Sequence, residues 1–138
     1  MNIIIGTEKD KTEILEKYPY TKQVLGDGGI LIVAKNDKET VGFLWAFIRD
    51  IPVAVNEKEL FINVIEVFDA QYRCNGIGSY LVKKCIEVAR LDNCYQVRAY
   101  CDINNIPSNM LWRKNGFGIA PVKMGDNSIP GVYVTYKL

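Results

Sequence analysis

Short apolar runs, separated by turn residues, alternate along the chain with segments of helical periodicity. The strand-like runs are rich in Ile, Val, Phe and Tyr, residue types that fit a pleated and half-buried surface. One run alternates with a period of two, so that Val97, Ala99 and Cys101 share one side. Strands are predicted at 2–5, 30–34, 40–49, 60–68, 94–101, 119–124 and 132–138.

The helical signal is strongest where Ile77, Leu81 and Cys85 fall on one face and charged residues occupy the other. Hairpin strands come first in the predicted order, followed by one strand–helix–strand crossover and a closing hairpin. This order indicates a mixed sheet with helices on its faces, in the α/β or α+β class. Helices are predicted at 7–17, 21–25, 77–90 and 107–114.

The length of 138 residues suits one domain and no linker-like stretch divides it, so we expect a single domain over 1–138. A net charge of +1 gives no global field to attract nucleic acid or an anionic membrane surface, and neither is expected as a partner. The longest apolar stretch, 41–48, is too short to span a bilayer. Because the segment 1–6 also lacks the features of a signal peptide, we expect the protein to be cytoplasmic.

The chain contains no histidine, which excludes the usual Ser-His-Asp and Cys-His hydrolases and any histidine-bearing zinc site. The four cysteines form no CxxC pair, so reduced thiols are expected. Proton transfer therefore relies on carboxylates, Tyr, Lys, Cys or water, and no metal is expected in the site.

The segment 73–78, Arg-Cys-Asn-Gly-Ile-Gly, lies between the third long strand and the strongest helix. Backbone N–H groups at a helix start have no partner within the helix, and glycines let them approach a ligand, so this turn predicts a phosphate or pyrophosphate site. A P-loop is excluded because Gly78 is followed by Ser79 rather than by lysine. The dinucleotide pattern GxGxxG is matched by Gly76 and Gly78 but not by Leu81, and the several strands that precede it argue against a Rossmann domain.

Two motifs together resemble those of the GNAT superfamily of N-acetyltransferases. The family signature Gln/Arg-x-x-Gly-x-Gly/Ala, at a strand–loop–helix junction, is matched by Arg73, Gly76 and Gly78. A second family pattern is an Asn, a small residue three positions on, an aromatic residue seven positions on and then Lys-x-Gly-Phe. That pattern is matched by Asn105, Ser108, Trp112 and 114–117. The resemblance covers nearly the whole chain, although residues 1–30 match only in general pattern.

The resemblance implies a mixed, mostly antiparallel sheet of six to seven strands flanked by about four helices, with acetyl-CoA as the co-substrate. Val67 and Phe68 on the strand before the turn would line the pantetheine arm, and an N–H near Phe68 would polarise the thioester carbonyl. Asn105 and Trp112 would complete the cofactor contacts. The phosphates would meet the chain at Arg73, Cys74, Asn75, Gly76, Ile77, Gly78 and Ser79.

Glu66 is the only carboxylate in the third long strand and is the predicted general base. A primary amine with a pKa near ~10 is neutral in only about one molecule in a thousand at pH 7, so a base has to remove a proton directly or through water. Trp112 departs from the family, since many relatives carry there a Tyr that protonates the leaving thiolate. An indole N–H only donates hydrogen bonds.

The sequence therefore predicts direct transfer of an acetyl group from acetyl-CoA to a primary amine within a ternary complex. The motifs define the donor, while the acceptor is a small-molecule or peptide amine and the protein is a monomer or a homodimer. Two alternatives stay open. A non-catalytic acyl-CoA binding or sensing domain would bind the donor without turnover, and a Rossmann-type module would prefer NAD.

Overall fold

Seven strands form one continuous sheet in the computed structural model, which describes residues 1–69, 75–124 and 129–138. The strands are β1 Asn2–Ile5, β2 Ile30–Asn36, β3 Glu39–Ile51, β4 Glu57–Val67, β5 Gln96–Asp102, β6 Gly118–Met124 and β7 Ile129–Lys137. Their order across the sheet is β1-β2-β3-β4-β5-β7-β6. Within these residues β4 and β5 form the one parallel pair, and the other neighbouring strands are antiparallel. The expected mixed, mostly antiparallel sheet is confirmed.

Three α-helices and one 3₁₀ segment lie within the described residues, so the expected count of about four helices is wrong by one. The turn predicted at 21–25 overlaps a five-residue 3₁₀ segment, Pro19–Gln23, whose C-cap residue Val24 donates its N–H to Thr21 O at 3.0 Å. Pro19 is the first residue of this segment and has no backbone N–H to donate. A helical segment of only five residues does not extend into an α-helix. None of the described helices is long and apolar enough to cross a membrane. The helical segments are α1 Glu8–Lys17, the 3₁₀ segment Pro19–Gln23, α2 Ile77–Leu91 and α3 Ile106–Lys114.

The sheet has a hydrophobic core on each of its faces. On one face α2 and α3 cover the central strands, and Leu44, Leu81 and Val97 are fully buried there. On the other face α1 and the 3₁₀ segment pack on β2 and β3 over a smaller core that includes Ile14 and Phe43. These two sides are called the α2–α3 face and the α1 face below.

A capping box closes the start of α1. The Thr7 hydroxyl accepts a hydrogen bond from Asp10 N at 3.2 Å, and the Asp10 carboxylate accepts one from Thr7 N at 2.8 Å. Asp10 is 4% exposed and pairs with Lys35 Nζ at 2.6 Å. Burial alone raises the pKa of Asp10, but hydrogen bonds from Lys35 and Thr7 outweigh that effect and hold the pKa below its ordinary value. A charged pair therefore anchors α1 to β2.

A β-bulge at Asn63 interrupts the pairing of β3 with β4. Trp45 lies opposite Val64. The next residue of β3, Ala46, lies opposite Ile62, so that Asn63 is left over as the extra residue of β4. Bulges of this kind bend a strand and redirect the side chains that follow.

The bulge decides which face each later side chain of β4 occupies. Ile62 before it packs in the core of the α2–α3 face, and Ile65 and Val67 after it pack against the same core. Val64 packs on the α1 face. Since neighbouring side chains of a strand point to opposite faces, Glu66 between Ile65 and Val67 projects from the α1 face.

Candidate active site

The strands β4 and β5 diverge toward their C-terminal ends and open a cleft of about 210 Å³ between them. Their parallel pairing ends at Ile62 opposite Ala99, although β4 continues to Val67 and β5 to Asp102. The helix α3 forms a further side of the cleft. A slot with a strand edge on each side admits an extended chain. The cleft is lined by Ile62, Asn63, Val64, Ile65, Ala99, Tyr100, Cys101, Asp102, Asn105, Ser108 and Trp112.

The backbone of Ile65 presents its polar groups toward the cleft. Phe68 N donates to Val41 O at 2.9 Å, and in an antiparallel ladder such hydrogen-bonded pairs recur at every second residue. Glu66 opposite Phe43 is therefore the next pair. Ile65, the residue before Glu66, belongs to the alternate set of residues, so its N–H and C=O point away from β3, toward β5. The Phe68 N–H, in contrast, is used within the sheet.

A glycine in a left-handed conformation opens α2. Gly76 has a φ of 80°, which glycine adopts without strain, and no side chain among the described residues caps this helix end. The N–H groups of the first turn, from Ile77 onward, therefore lie at the positive end of the helix dipole without helical acceptors. A Cβ built on Gly78 would lie 3.4 Å from Leu111 Cδ1. The start of α2 thus adjoins α3, which also lines the cleft.

Asn105 and Trp112 reach the cleft from α3. Asn105 is the N-cap of this helix, and its Oδ1 accepts a hydrogen bond from Ser108 N at 3.2 Å. Trp112 is 3% exposed, and its ring packs against Phe117 with centroids 5.1 Å apart. Its Nε1 is buried and has no hydrogen-bond partner among the described residues. The Trp112 side chain nonetheless acts as a hydrogen-bond donor that lowers the pKa of the Cys101 thiol, so the indole N–H faces that sulfur.

Cys101 contributes a thiol to the cleft wall. Its Sγ donates to Asp102 O at 3.4 Å. Burial raises the pKa of this thiol, and the side chains of Ser108 and Trp112 offset part of the rise. Burial raises the pKa of Cys85, in the core of the α2–α3 face, to about 12. Both thiols are protonated at neutral pH and are poor nucleophiles.

Glu66 lies on the α1 face beside a cluster of aromatic rings. The Tyr20 hydroxyl donates a hydrogen bond to Glu66 Oε1. The Phe68 ring stacks on Tyr18, with centroids 3.8 Å apart and planes inclined by 8°. Phe43 packs on Phe68 with centroids 5.4 Å apart. A carboxylate set among aromatic faces is a chemical environment suited to a cationic amine.

The structure places the sequence-predicted residues in separate locations. Glu66 and Phe68 lie on the α1 face, whereas Val67 packs toward the α2–α3 face. Asn105 and Trp112 line the cleft. Arg73 and Cys74 lie outside the described residues. Gly76 is the N-cap of α2, Asn75 precedes it, and Ile77, Gly78 and Ser79 form the first turn of the helix. The Ser79 hydroxyl accepts a hydrogen bond from Asn115 Nδ2 at 3.1 Å.

Sequence reasoning did not single out Ile65 and Cys101 as cleft residues. The bulge that turns the Ile65 backbone toward the cleft had one sequence signal, the polar Asn63 within an otherwise apolar run. That signal identifies a bulge only when the partner strand and its register are known. Cys101 fitted the alternation of a buried strand and carried no further signal.

The sheet and the cleft agree with the acetyltransferase class that the two sequence motifs indicate. The chain belongs to the GNAT family of acetyltransferases, because the model described as "Acetyltransferase (GNAT) family" matches residues 5–117. The resemblance carried by the two sequence motifs is thereby confirmed. A comparison with curated proteins finds no match.

Solved structures of acetyltransferases share this fold. Ribosomal-protein-alanine N-acetyltransferase from Brucella melitensis superposes with a TM-score of 0.75 over 100% of both chains, at 19% identity. Aminoglycoside 6'-acetyltransferase type Ii gives a TM-score of 0.74 over 99% of this chain and 97% of that chain, at 16% identity. A GNAT family acetyltransferase from Elizabethkingia anophelis, solved with acetyl-CoA bound, gives 0.72 over 99% and 97%, at 20% identity. At these identities the likeness shows the fold.

Proposed function

We propose that this protein transfers the acetyl group of acetyl-CoA to a primary amine by direct attack within a ternary complex. The observation that carries the proposal is the cleft between the diverging ends of β4 and β5, which shares α3 with the glycine-capped start of α2. An extended arm that ends in phosphates fits this arrangement. The arm enters the cleft, and the phosphates meet the helix start.

The donor site is built mainly from backbone groups. Phosphate oxygens accept hydrogen bonds from the N–H groups around Gly76 and Gly78, where the helix dipole favours negative charge. Arg73 and Cys74 extend this turn in the sequence. Asn105 borders the cleft and offers an amide side chain to the pantetheine arm.

We assign the polarisation of the thioester carbonyl to a backbone N–H of β4. Because Phe68 N donates to Val41 O and Ile65 lines the cleft, we assign the role expected near Phe68 to the N–H of Ile65. A fixed N–H placed where negative charge develops on the carbonyl oxygen lowers the barrier, and removal of such a donor typically costs about 10²–10³ in rate. No reorganisation of the strand is needed.

Glu66 is proposed as the base that deprotonates the incoming amine from the α1 face. Its hydrogen bond from Tyr20 fixes the direction of the carboxylate. The leaving thiol has a pKa near ~8.5, so it departs as a thiolate and takes its proton from water. Trp112, which has no acidic proton in this pH range, is not a proton donor.

An amine acceptor is supported by the family and by the acidic and aromatic surroundings of Glu66. The names of two structural relatives specify a ribosomal-protein alanine and an aminoglycoside as acceptors, so one fold serves both protein and small-molecule amines. A non-catalytic acyl-CoA sensor is the second candidate. Trp112 favours it, because the usual proton donor of the family is replaced at that position.

Ligand binding and turnover separate the candidates. Acetyl-CoA, CoA and NAD are titrated against thermal stability, and thiol release is then followed with a panel of amines, amino acids and peptides. Stabilisation by acetyl-CoA and CoA together with amine-dependent thiol release is expected. Stabilisation without release across the panel would favour the sensor, and stabilisation by NAD alone would reject the donor assignment.

The base is tested by Glu66→Gln, with Glu57→Gln at the exposed start of the same strand as the matched control. Loss of a general base lowers the rate by roughly 10²–10⁴ where the amine is protonated. The deficit is expected to shrink toward pH ~10, because the neutral fraction of the amine rises about tenfold per pH unit. An unchanged pH–rate profile for Glu66→Gln rejects the assignment.

A further inference from the structure

The strands β5 and β7 present polar and aromatic side chains on the α1 face, beside its core rather than within it. That core contains residues of β2, β3 and β4 but, among the described residues, none of β5 or β7. Arg98 and Tyr100 alternate with β5 residues that are buried in the opposite core, so both project from the α1 face. Tyr133 of β7 lies opposite Tyr100 and projects from the same face. Since Tyr100 and Val64 also line the cleft, the cleft opens onto this face.

A group of charged side chains lies further along the same face and contains more positive than negative charge. Glu59 is 2% exposed, and its carboxylate accepts hydrogen bonds from Arg49 Nη2 at 3.2 Å and from Gln96 Nε2 at 3.1 Å. Arg98 Nη1 lies 3.8 Å from the same carboxylate, which is too far for a hydrogen bond. Two guanidinium groups therefore share one carboxylate, and one positive charge is left in excess.

Arg98 is the member of this group that keeps hydrogen-bonding capacity for a ligand. Its guanidinium stacks on the Tyr133 ring, 3.9 Å from the centroid, and that ring meets Tyr100 with centroids 5.5 Å apart. The stacking fixes the direction of the Arg98 side chain, which is still 30% exposed. A guanidinium held flat on an aromatic ring, with N–H groups that Glu59 does not use, is suited to bind a carboxylate in a defined direction.

We propose that Arg98 binds a carboxylate of the acceptor, so that the acceptor is an amine that also carries a carboxylate. This inference rests on the proposed function and deepens it, because it names the chemical class of the acceptor. The charges of the α1 face agree with such a molecule. Glu66, near the end of β4, faces the cationic amine, and Arg98 faces the anionic carboxylate.

The spacing of the two charges sets the length of the acceptor. Glu66 and Phe61, the residue opposite Arg98, are about 15 Å apart along β4 once the bulge is allowed for. Side chains stand roughly perpendicular to a sheet, and hydrogen bonds of about 3 Å at each end leave roughly 9 Å between the amine and the carboxylate of the ligand. An ω-amino acid the length of lysine has this separation, and so does a peptide with an acidic second residue.

Two matched pairs of amines test the carboxylate and its source. The small-molecule pair is 6-aminohexanoate and 6-aminohexanamide, and the peptide pair is Ala-Glu-Ala and Ala-Gln-Ala with amidated C-termini. Thiol release from acetyl-CoA gives kcat/KM for each. In at least one pair we expect the carboxylate to raise kcat/KM by at least about tenfold, the value of a charge-assisted hydrogen bond, and added salt to lower this preference. The pair that shows the preference identifies the source, and equal values within both pairs overturn the inference.

Variants of Arg98 show whether this residue is responsible for the preference. Arg98→Met keeps an unbranched side chain on the Tyr133 ring but removes the charge, so the ratio of acid to amide should fall to about one. Arg98→Lys restores the charge and should recover part of the ratio. Glu59 keeps its hydrogen bonds from Arg49 and Gln96, so the fold is expected to persist. A ratio that Arg98→Met leaves unchanged contradicts the role of Arg98.

Lys58→Met is the matched control. Lys58 is also a partly exposed cation near the start of β4, but its ammonium pairs with Asp92 at the end of α2, at 3.3 Å. The ratio of acid to amide is expected to stay at its wild-type value in this variant, and a fall as large as that of Arg98→Met would assign the effect to net charge and overturn the inference. Absence of thiol release with both carboxylate amines also overturns it. The proposed function fails separately, only if the wider panel of amines gives no release either.

Discussion

Gly76 and Gly78 lie two residues apart in the same motif, yet their replacement by alanine is expected to change stability in opposite directions. Gly76 caps α2 with a φ of 80°, and a side chain in that region costs about 1–2 kcal/mol. The alanine also lowers the conformational entropy of the unfolded chain, and this offsets about 0.4–1 kcal/mol of the cost. The net expectation for Gly76→Ala is a loss of about 1 kcal/mol.

Gly78 lies inside the first turn of α2, where alanine is the better helix former by about 0.5–1 kcal/mol. Among the described residues the new methyl group meets Leu111 Cδ1 and Cδ2, at 3.4 and 3.5 Å, which are ordinary van der Waals contacts. Gly78→Ala is therefore expected to stabilise the protein. The family signature admits Gly or Ala at this position, so acetyl-CoA binding should survive the substitution.

Urea unfolding of the two variants and the wild type measures this difference, which is expected to be about 2 kcal/mol between the variants with equal m-values. For a chain of this size it corresponds to a gap in Tm of roughly 5–10 °C. Thermal shift by acetyl-CoA reports binding, which Gly76→Ala should weaken. A Gly76 variant as stable as the wild type, or a Gly78 variant less stable than the Gly76 variant, refutes the reasoning.

Three further predictions concern the scaffold. Glu59→Ala should cost about 3 kcal/mol in urea unfolding, because the carboxylate is 2% exposed between two arginines, while exposed Glu57→Ala should change little. Thr7→Ala should lower the free energy of unfolding by about 1 kcal/mol, because the capping box is lost. Thr12→Ala, at an exposed position inside the helix, should change it by less than about 0.5 kcal/mol. The lowered pKa of Asp10 gives stability that is present above its unfolded value of 3.8 and is lost as pH falls through the folded pKa. When unfolding is measured as a function of pH, the stability of Asp10→Asn should fall less than that of the wild type as the pH is lowered through this range.

The regular elements were predictable because their periodicity is strong. The apolar face of α2 and the alternation around Val97 and Ala99 both appear in the structure as expected. The helix count was wrong by one because a 3₁₀ turn opened by Pro19 shares its composition with the end of a short α-helix. Local pattern does not distinguish the two, since the difference lies in which carbonyl accepts each hydrogen bond.

The site was predictable where it depends on local sequence and not where it depends on pairing. Gly76 and Asn105 carry their own signals, a left-handed helix cap and an N-cap, and both lie where the motifs place them. The face reached by each β4 residue after Asn63 depends on the register with β3. A run of consecutive apolar residues around Ile62 and Ile65 hides that register, because it satisfies either alternation.

The bulge at Asn63 joins the fold to the proposed chemistry. With regular alternation from Ile62 onward, Val64 and Glu66 would both face the α2–α3 core, and the carboxylate would be buried among apolar side chains. The extra residue instead sends Glu66 to the α1 face, where the amine is expected, and keeps Ile65 beside the cleft. Asn63 Nδ2 donates to Val24 O at 3.0 Å, so the loop after the 3₁₀ segment holds the bulge in place. One inserted residue therefore separates the base from the donor site while leaving both on the same strand.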